Sequence, residues 1–143
     1  MADLKKLADG FYVAGQISDD DIAAAKDLGV SHVICNRPDD EEFGQPNVEE
    51  VAAWAASAGM TMEHIPLGSD GLSPDMISAT MAALNTDGAI LAYCRTGNRS
   101  SILWSLAMAK SGEKSPEEIL SAAEAAGYDL SHLVHVLESF QDS

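Results

Sequence analysis

A chain of 143 residues, 46% of them apolar, has material for one compact domain over residues 1–143 and too little for two well-buried cores. Its Lys and Arg number 8 against 23 Asp and Glu, a formal charge of −15 that repels nucleic-acid backbones and anionic membranes and leaves neither as an expected partner. Two cysteines are too few for a disulfide framework, no apolar run reaches the roughly 18 residues of a bilayer span, and "MADLKKLADG" lacks a secretory pattern, so reduced thiols in the cytoplasm are expected.

The run "FYV" at 11–13 reads as a short strand. Ser18 followed by Asp21 caps a helix reaching about Leu28, and Gly29 supplies the left-handed residue that ends it. A second strand, "HVIC" at 32–35, runs into the irregular stretch "DDEE" at 39–42 and "FGQPN", which reads as a surface loop. Pro46 to Ala58 is a helical pattern closed by Gly59, and "MTMEHI" at 60–65 is a third strand. Ser73 and Pro74 then start a helix reaching about Asn85, before the fourth strand "AILAYC" at 89–94. "RSSILWSLAMAKSG" places Ile102, Leu103, Leu106 and Ala107 on one helical face, so a helix begins near Asn98. Ser115 and Pro116 open another that stops before Gly127, and a terminal helical pattern carries His132 and His135.

Short strands interleaved this regularly with helices predict an α/β fold in three layers: a mainly parallel sheet of about four strands flanked by helices. Ala-rich segments ending in Gly recur at unequal spacing and are helix ends, not repeats. Trp54 and Trp104 occupy apolar helical positions and read as core, and His64 as a core or edge residue. His132 and His135 have no third partner at ligand spacing, so neither a metal nor another cofactor is expected.

Chemistry concentrates in "LAYCRTGNRSS". Ligands bind beyond the carboxyl ends of strands in open parallel sheets, and Cys94 ends one. Residues Arg95, Thr96, Gly97 and Asn98 follow with neither helical nor strand pattern, and Gly97 permits the left-handed bend that turns backbone amides inward at a helix amino end. A free thiol is only about 3% ionised at pH 7, but a helix amino end and nearby cations lower its pKa to about 3.5–7.5. Arg95 and Arg99 are two of the chain's three arginines, and a guanidinium grips an oxyanion with two parallel bonds. The expected ligand is anionic. Arg37, just past "HVIC", reads equally as positive charge on the pocket rim and as a partner of Asp39 or Glu41.

"YCRTGNRS", together with "GFYVAGQIS", "VSHVICNRPDDEE" and "HIPLGSDGLSPD" in the same order, resembles the bacterial phosphatase-like domain also found fused to metallo-β-lactamase-type hydrolases. The resemblance implies a dual-specificity-phosphatase-like fold and cysteine-based hydrolysis of phosphomonoesters, phosphotyrosine among them. In that chemistry Cys94 attacks phosphorus, Arg99 and the amides of residues 95–98 hold the phosphoryl oxygens, and water hydrolyses the phosphocysteine. Asp70 matches the general acid's position, with Asp75 in reserve, and Ser100 would hydrogen-bond the thiolate. The same resemblance makes Cys35 a redox partner that would trap oxidised Cys94 as a disulfide.

Two features depart from the cysteine-phosphatase pattern: Tyr93 stands where His usually precedes the nucleophile, and four residues instead of five separate Cys94 from Arg99. The shorter loop removes one amide donor and up to about 3.5 Å of contour. A Cys-Arg-x-Gly-x-Arg loop of this length is also similar to that of rhodanese-type sulfurtransferases, so sulfane-sulfur transfer through a Cys94 persulfide and a non-catalytic anion-binding module stand beside phosphatase chemistry.

Overall fold

The computed structural model describes residues 2–141. Among these, five strands and six α-helices follow one another as β1 (Lys5–Ala8), β2 (Phe11–Ala14), α1 (Asp19–Asp27), β3 (Val30–Cys35), α2 (Val48–Ser57), β4 (Thr61–His64), α3 (Pro74–Ala83), β5 (Ala89–Tyr93), α4 (Asn98–Ser111), α5 (Pro116–Ala125) and, after a short 3-10 turn, α6 (Val134–Gln141). The sheet order is β1-β2-β5-β3-β4, parallel throughout except for β1.

The sheet has one strand more than the sequence suggests. β1 pairs antiparallel with β2 through a two-residue Asp9–Gly10 turn in which Gly10 adopts φ 78°. Asp-Gly is a strong hairpin signal, and lysines at positions 5 and 6 suit an open sheet edge.

Strand alternation sorts the sheet's side chains into two layers. On one face Phe11, Val13, Ile34, Ile90 and Ala92 meet apolar residues of α3, α4, α5 and α6. On the other, Ala14, Val33, Cys35, Leu91 and Tyr93 meet those of α1 and α2. β5 is buried along its whole length because it is central in the sheet and covered on both faces. Trp104 is fully buried 6.2 Å from the Phe11 ring, whereas Trp54 only borders the second layer.

The expected caps are present: Ser18 with Asp21, Ser73 with Pro74, and Ser115 with Pro116. Between Gln45 and Val48 the chain departs from expectation, because Asn47 and not Pro46 marks the start of α2: its side chain accepts the Glu50 N–H at 2.9 Å. α4 is buried nearly all round rather than on one stripe, since α3, α5 and α6 all pack against it. Ser101 and Ser105 survive inside it by donating to the carbonyls of Gly97 and Ile102 at 2.8 and 2.7 Å.

No helix among the described residues is long and apolar enough to cross a membrane. His32 and His64 both have polar partners, the first Thr61 Oγ1 at 2.7 Å and the second the Arg37 carbonyl at 3.0 Å. His135 faces Glu138. Among the described residues no three His, Cys, Asp or Glu side chains converge as a metal site.

Candidate active site

Cys94 follows β5 directly, its N–H bonded to the Ala14 carbonyl at 3.3 Å, and its side chain is 1% exposed. Four residues later the chain is already helical. The reversal requires Gly97, which holds φ 93° and caps α4 with its backbone. Its N–H points back at the sulfur, with N···Sγ 3.1 Å. The thiol thus lies at the amino end of a 14-residue helix and receives a backbone donor.

Arg99, in the first turn of α4, turns the far side of its guanidinium away from the loop. Nη1 and Nη2 grip both Glu41 carboxylate oxygens at 2.8 Å, and Nη1 also donates to the Leu67 carbonyl at 2.9 Å. Three of the five N–H bonds are thereby committed to Glu41 and Leu67, and the guanidinium also hydrogen-bonds the Cys94 sulfur. Arg99 holds its proton more tightly than usual, chiefly through Glu41 and, against partial burial, through the charge of the nearby Cys94 sulfur.

The sequence left Arg37 open between the pocket rim and a pairing with Asp39 or Glu41. Its side chain is 2% exposed, with Nε on Glu41 at 3.0 Å, Nη2 on Glu42 at 2.7 Å and Nη1 on Gln16 Oε1 at 2.8 Å. Asp39 instead accepts the Val48 N–H at 2.8 Å. Arg95 is 61% exposed and reaches out to Glu42 at 3.1 Å. The stretch "DDEE" is the expected surface loop, exposed along its length, and from it Glu41 and Glu42 reach the three arginines. Three arginines against two glutamates leave one net positive charge around the Cys94 loop. A signal for this existed in the sequence: a chain of charge −15 that gathers its three arginines needs carboxylates nearby to hold them.

Glu41 titrates below the ordinary glutamate range, owing first to Arg99 and then, against partial burial, to Arg37. A carboxylate whose folded-state pKa is depressed adds stability at neutral pH that is lost as pH falls through that lowered value. Glu41→Gln is accordingly expected to destabilise the protein at neutral pH by about 1 kcal/mol or less, and the two denaturation midpoints should converge in acid below the ordinary glutamate range. A gap of constant size through the acid range would contradict the ion pair's role.

Asp70 lies in the loop between β4 and α3, within a turn closed by Gly71 N–H on the Gly68 carbonyl at 3.1 Å. It lines a cavity of about 260 Å³ together with Pro38, Pro66, Gly68, Ser69 and Met76. Leu67 of the same loop contacts Arg99, which ties the Asp70 loop to the thiol loop. Asp75 sits exposed in the first turn of α3, where a carboxylate complements the helix dipole.

Ser100 is buried, and its Oγ has no hydrogen-bond partner among the described residues, so the expected bond to the sulfur is not made here. Thr96 Oγ1 accepts the Asn98 N–H at 3.4 Å, and the Asn98 side chain is exposed. Cys35 is a free, buried thiol that donates to the Arg37 carbonyl at 3.2 Å, with its pKa pushed up mainly by burial. Cys35 pairs in register with Tyr93, so its side chain leaves the α1–α2 face while Cys94, one residue on, begins from the other. Tyr93 is buried beside Cys35, and burial moves its phenol well above the usual tyrosine range.

The contact sequence reasoning missed altogether is Tyr128, after α5. Its hydroxyl donates to the Thr96 carbonyl at 3.1 Å, and a side chain at position 97 would overlap that hydroxyl.

Known proteins resemble this chain in sequence and in fold. A solved structure described as a "putative phosphatase" from Neisseria meningitidis Z2491 is 33% identical, with TM-score 0.80, covering 96% of this chain and 97% of that one. A similarly described DUF442 structure from Shewanella putrefaciens CN-32 is 18% identical with TM-score 0.75, and kinase-associated phosphatase, at 14% identity and TM-score 0.74, shares the fold. Among curated proteins, the "Beta-lactamase hydrolase-like protein" of Xylella fastidiosa strain 9a5c is 29% identical over 127 residues, 88% of this chain. The chain spans about 30% of that relative's length. Residues 3–112 match the family model "Beta-lactamase hydrolase-like protein, phosphatase-like domain", and with a cysteine-phosphatase fold and a cysteine–arginine loop at the sheet's carboxyl edge, the chain belongs to that phosphatase-like family.

Proposed function

We propose that the chain is a cysteine-dependent phosphatase acting on phosphomonoesters. One observation carries the reading: the Cys94 sulfur lies at the head of α4, bonded by the Gly97 N–H at 3.1 Å and by an Arg99 guanidinium whose far edge is clamped by Glu41. In this reaction the sulfur lone pair forms the S–P bond as the P–O bond breaks, and Asp70 gives its proton to the departing oxygen. Water then attacks the phosphocysteine, the S–P bond breaks and the thiolate returns while Asp70 recovers a proton. Arg99 and the loop amides hold the three equatorial oxygens, whose charge grows in the transition state.

A second reading, sulfur transfer through a Cys94 persulfide, is favoured by two specific features. The loop has four residues between Cys94 and Arg99, and the surrounding arginines are largely neutralised by Glu41 and Glu42. Both suit a smaller, less charged group than phosphate.

Intact mass spectrometry after brief exposure to a chromogenic aryl phosphate or to thiosulfate separates the two. The phosphatase reading expects aryl phosphate turnover that Cys94→Ser abolishes, with Asp70→Asn slowing alkyl substrates by more than aryl ones because phenoxide leaves without full protonation. A stable single-sulfur adduct on Cys94, removable by cyanide, with no phosphate release, would establish the second reading in its place. A protein that retains vanadate but shows neither reaction is an anion-binding module.

A further inference from the structure

Tyr128 stands outside the 3–112 segment matched to the family and has no part in the chemistry above. It follows Gly127, which ends α5 with φ 97°, and its own N–H returns to the Ala123 carbonyl at 2.8 Å. This helix ending delivers the ring to the thiol loop, where Lys5 Nζ covers it 5.1 Å from the centroid. At the loop, two hydrogen bonds meet on one peptide group. The Thr96 carbonyl accepts from the Tyr128 hydroxyl at 3.1 Å, and the N–H of that same peptide, belonging to Gly97, donates to Cys94 Sγ at 3.1 Å.

We propose that Tyr128 is a positioning residue for the thiolate: by bonding the Thr96 carbonyl, it fixes and polarises the peptide whose N–H stabilises the Cys94 sulfur. The oxygen and hydrogen of a trans peptide point in opposite directions, so a donor on the oxygen aims the N–H away from itself and toward the sulfur. Withdrawal of electron density by that donor also strengthens the N–H, the cooperativity of chained hydrogen bonds in a dry site. The crowding at Gly97 fits: the Tyr128 hydroxyl fills the space where a Cβ would stand, so the peptide cannot rotate without moving the ring. Burial, and then the charge of Cys94, push the Tyr128 phenol upward, which keeps it a donor at any pH where the loop would act.

The groups whose charge reaches this cluster are Arg99 on α4, Cys35 at the end of β3, and Asp3 and Lys5 beside the ring, with Glu41 on the far edge of Arg99. The proposal rests on reading Cys94 as a reactive thiolate, but not on which electrophile it attacks.

The test is the pH dependence of alkylation by iodoacetamide, followed at Cys94 by peptide mass spectrometry, in the full chain and in Tyr128→Phe. The ring and its Lys5 contact survive in that variant, and a denaturation curve checks the fold. The alkylation midpoint of Tyr128→Phe is expected to lie about half a pH unit higher, so that alkylation about one unit below the wild-type midpoint slows roughly threefold. An unchanged midpoint would overturn the proposal, even if stability fell, since a purely structural tyrosine changes stability without moving the sulfur's titration. A wild-type midpoint at the value of an ordinary free thiol would instead remove the reactive-thiolate reading itself. Tyr128→Trp gives a second measure: with an N–H that cannot sit where the hydroxyl does, its midpoint should match that of Tyr128→Phe and not the wild type.

Discussion

Arg99→Ala is expected to lower kcat/KM for an aryl phosphate by about a thousandfold, because two aligned charge-assisted donors vanish from the place where charge develops; removing a single such donor costs about 10²–10³. A second loss accompanies it. Without Arg99, the Glu41 carboxylate keeps only Arg37, and the two glutamates then balance the remaining two arginines, so an incoming anion meets no net positive charge. The decline should therefore appear in KM as well as in kcat. Arg99→Lys restores the charge but cannot grip Glu41 with one edge and a ligand with the other, and should recover less than about a tenth of the lost activity. Steady-state kinetics decide the matter. An Arg99→Ala protein within tenfold of wild type would mean that the guanidinium serves only to anchor Glu41 and the Leu67 loop.

Gly97→Ala should destabilise the protein by about 2–6 kcal/mol. The position holds φ 93° and ψ −11°, a conformation that costs an L-residue about 1–3 kcal/mol, and the new Cβ would also collide with the Tyr128 hydroxyl, an overpacking cost of about 1–3 kcal/mol. Removing the tyrosine relieves the collision but not the dihedral strain. The double variant with Tyr128→Ala should therefore be less destabilised than the sum of the two singles, a coupling readable from urea denaturation. Additive effects would show that the loop and the ring move apart freely. Activity should fall with Gly97→Ala in either case, since the N–H that meets Cys94 belongs to the substituted residue.

Clasped by glutamates, the loop also explains how so acidic a chain keeps a cationic site. Arg37 is buried with two carboxylates and an amide around it, each of its three nitrogens bonded, and its removal would leave Glu41 to Arg99 alone and Glu42 to Arg95 alone. Glu41 bridges Arg37 and Arg99, so the β3 and α4 ends of the site are mechanically joined through one side chain.

Local signals in the sequence determined a great deal. Serine caps before proline, glycines after alanine-rich turns and short β-branched runs each act within a few residues, and they placed the helices and the four parallel strands close to where they lie. The Cys94–Arg99 loop was legible for the same reason: strand end, glycine and helix start are consecutive, so one reading frame contains the thiol, the bend and the arginine. Tertiary structure alone decided what meets that loop. Glu41 lies 58 positions from Arg99, and Tyr128 lies 32 from Thr96, distances over which no periodicity or capping rule operates. "DDEE" is a surface loop as the sequence suggests, but which arginines Glu41 and Glu42 meet was decided only once folding had brought Arg37, Arg95 and Arg99 beside it.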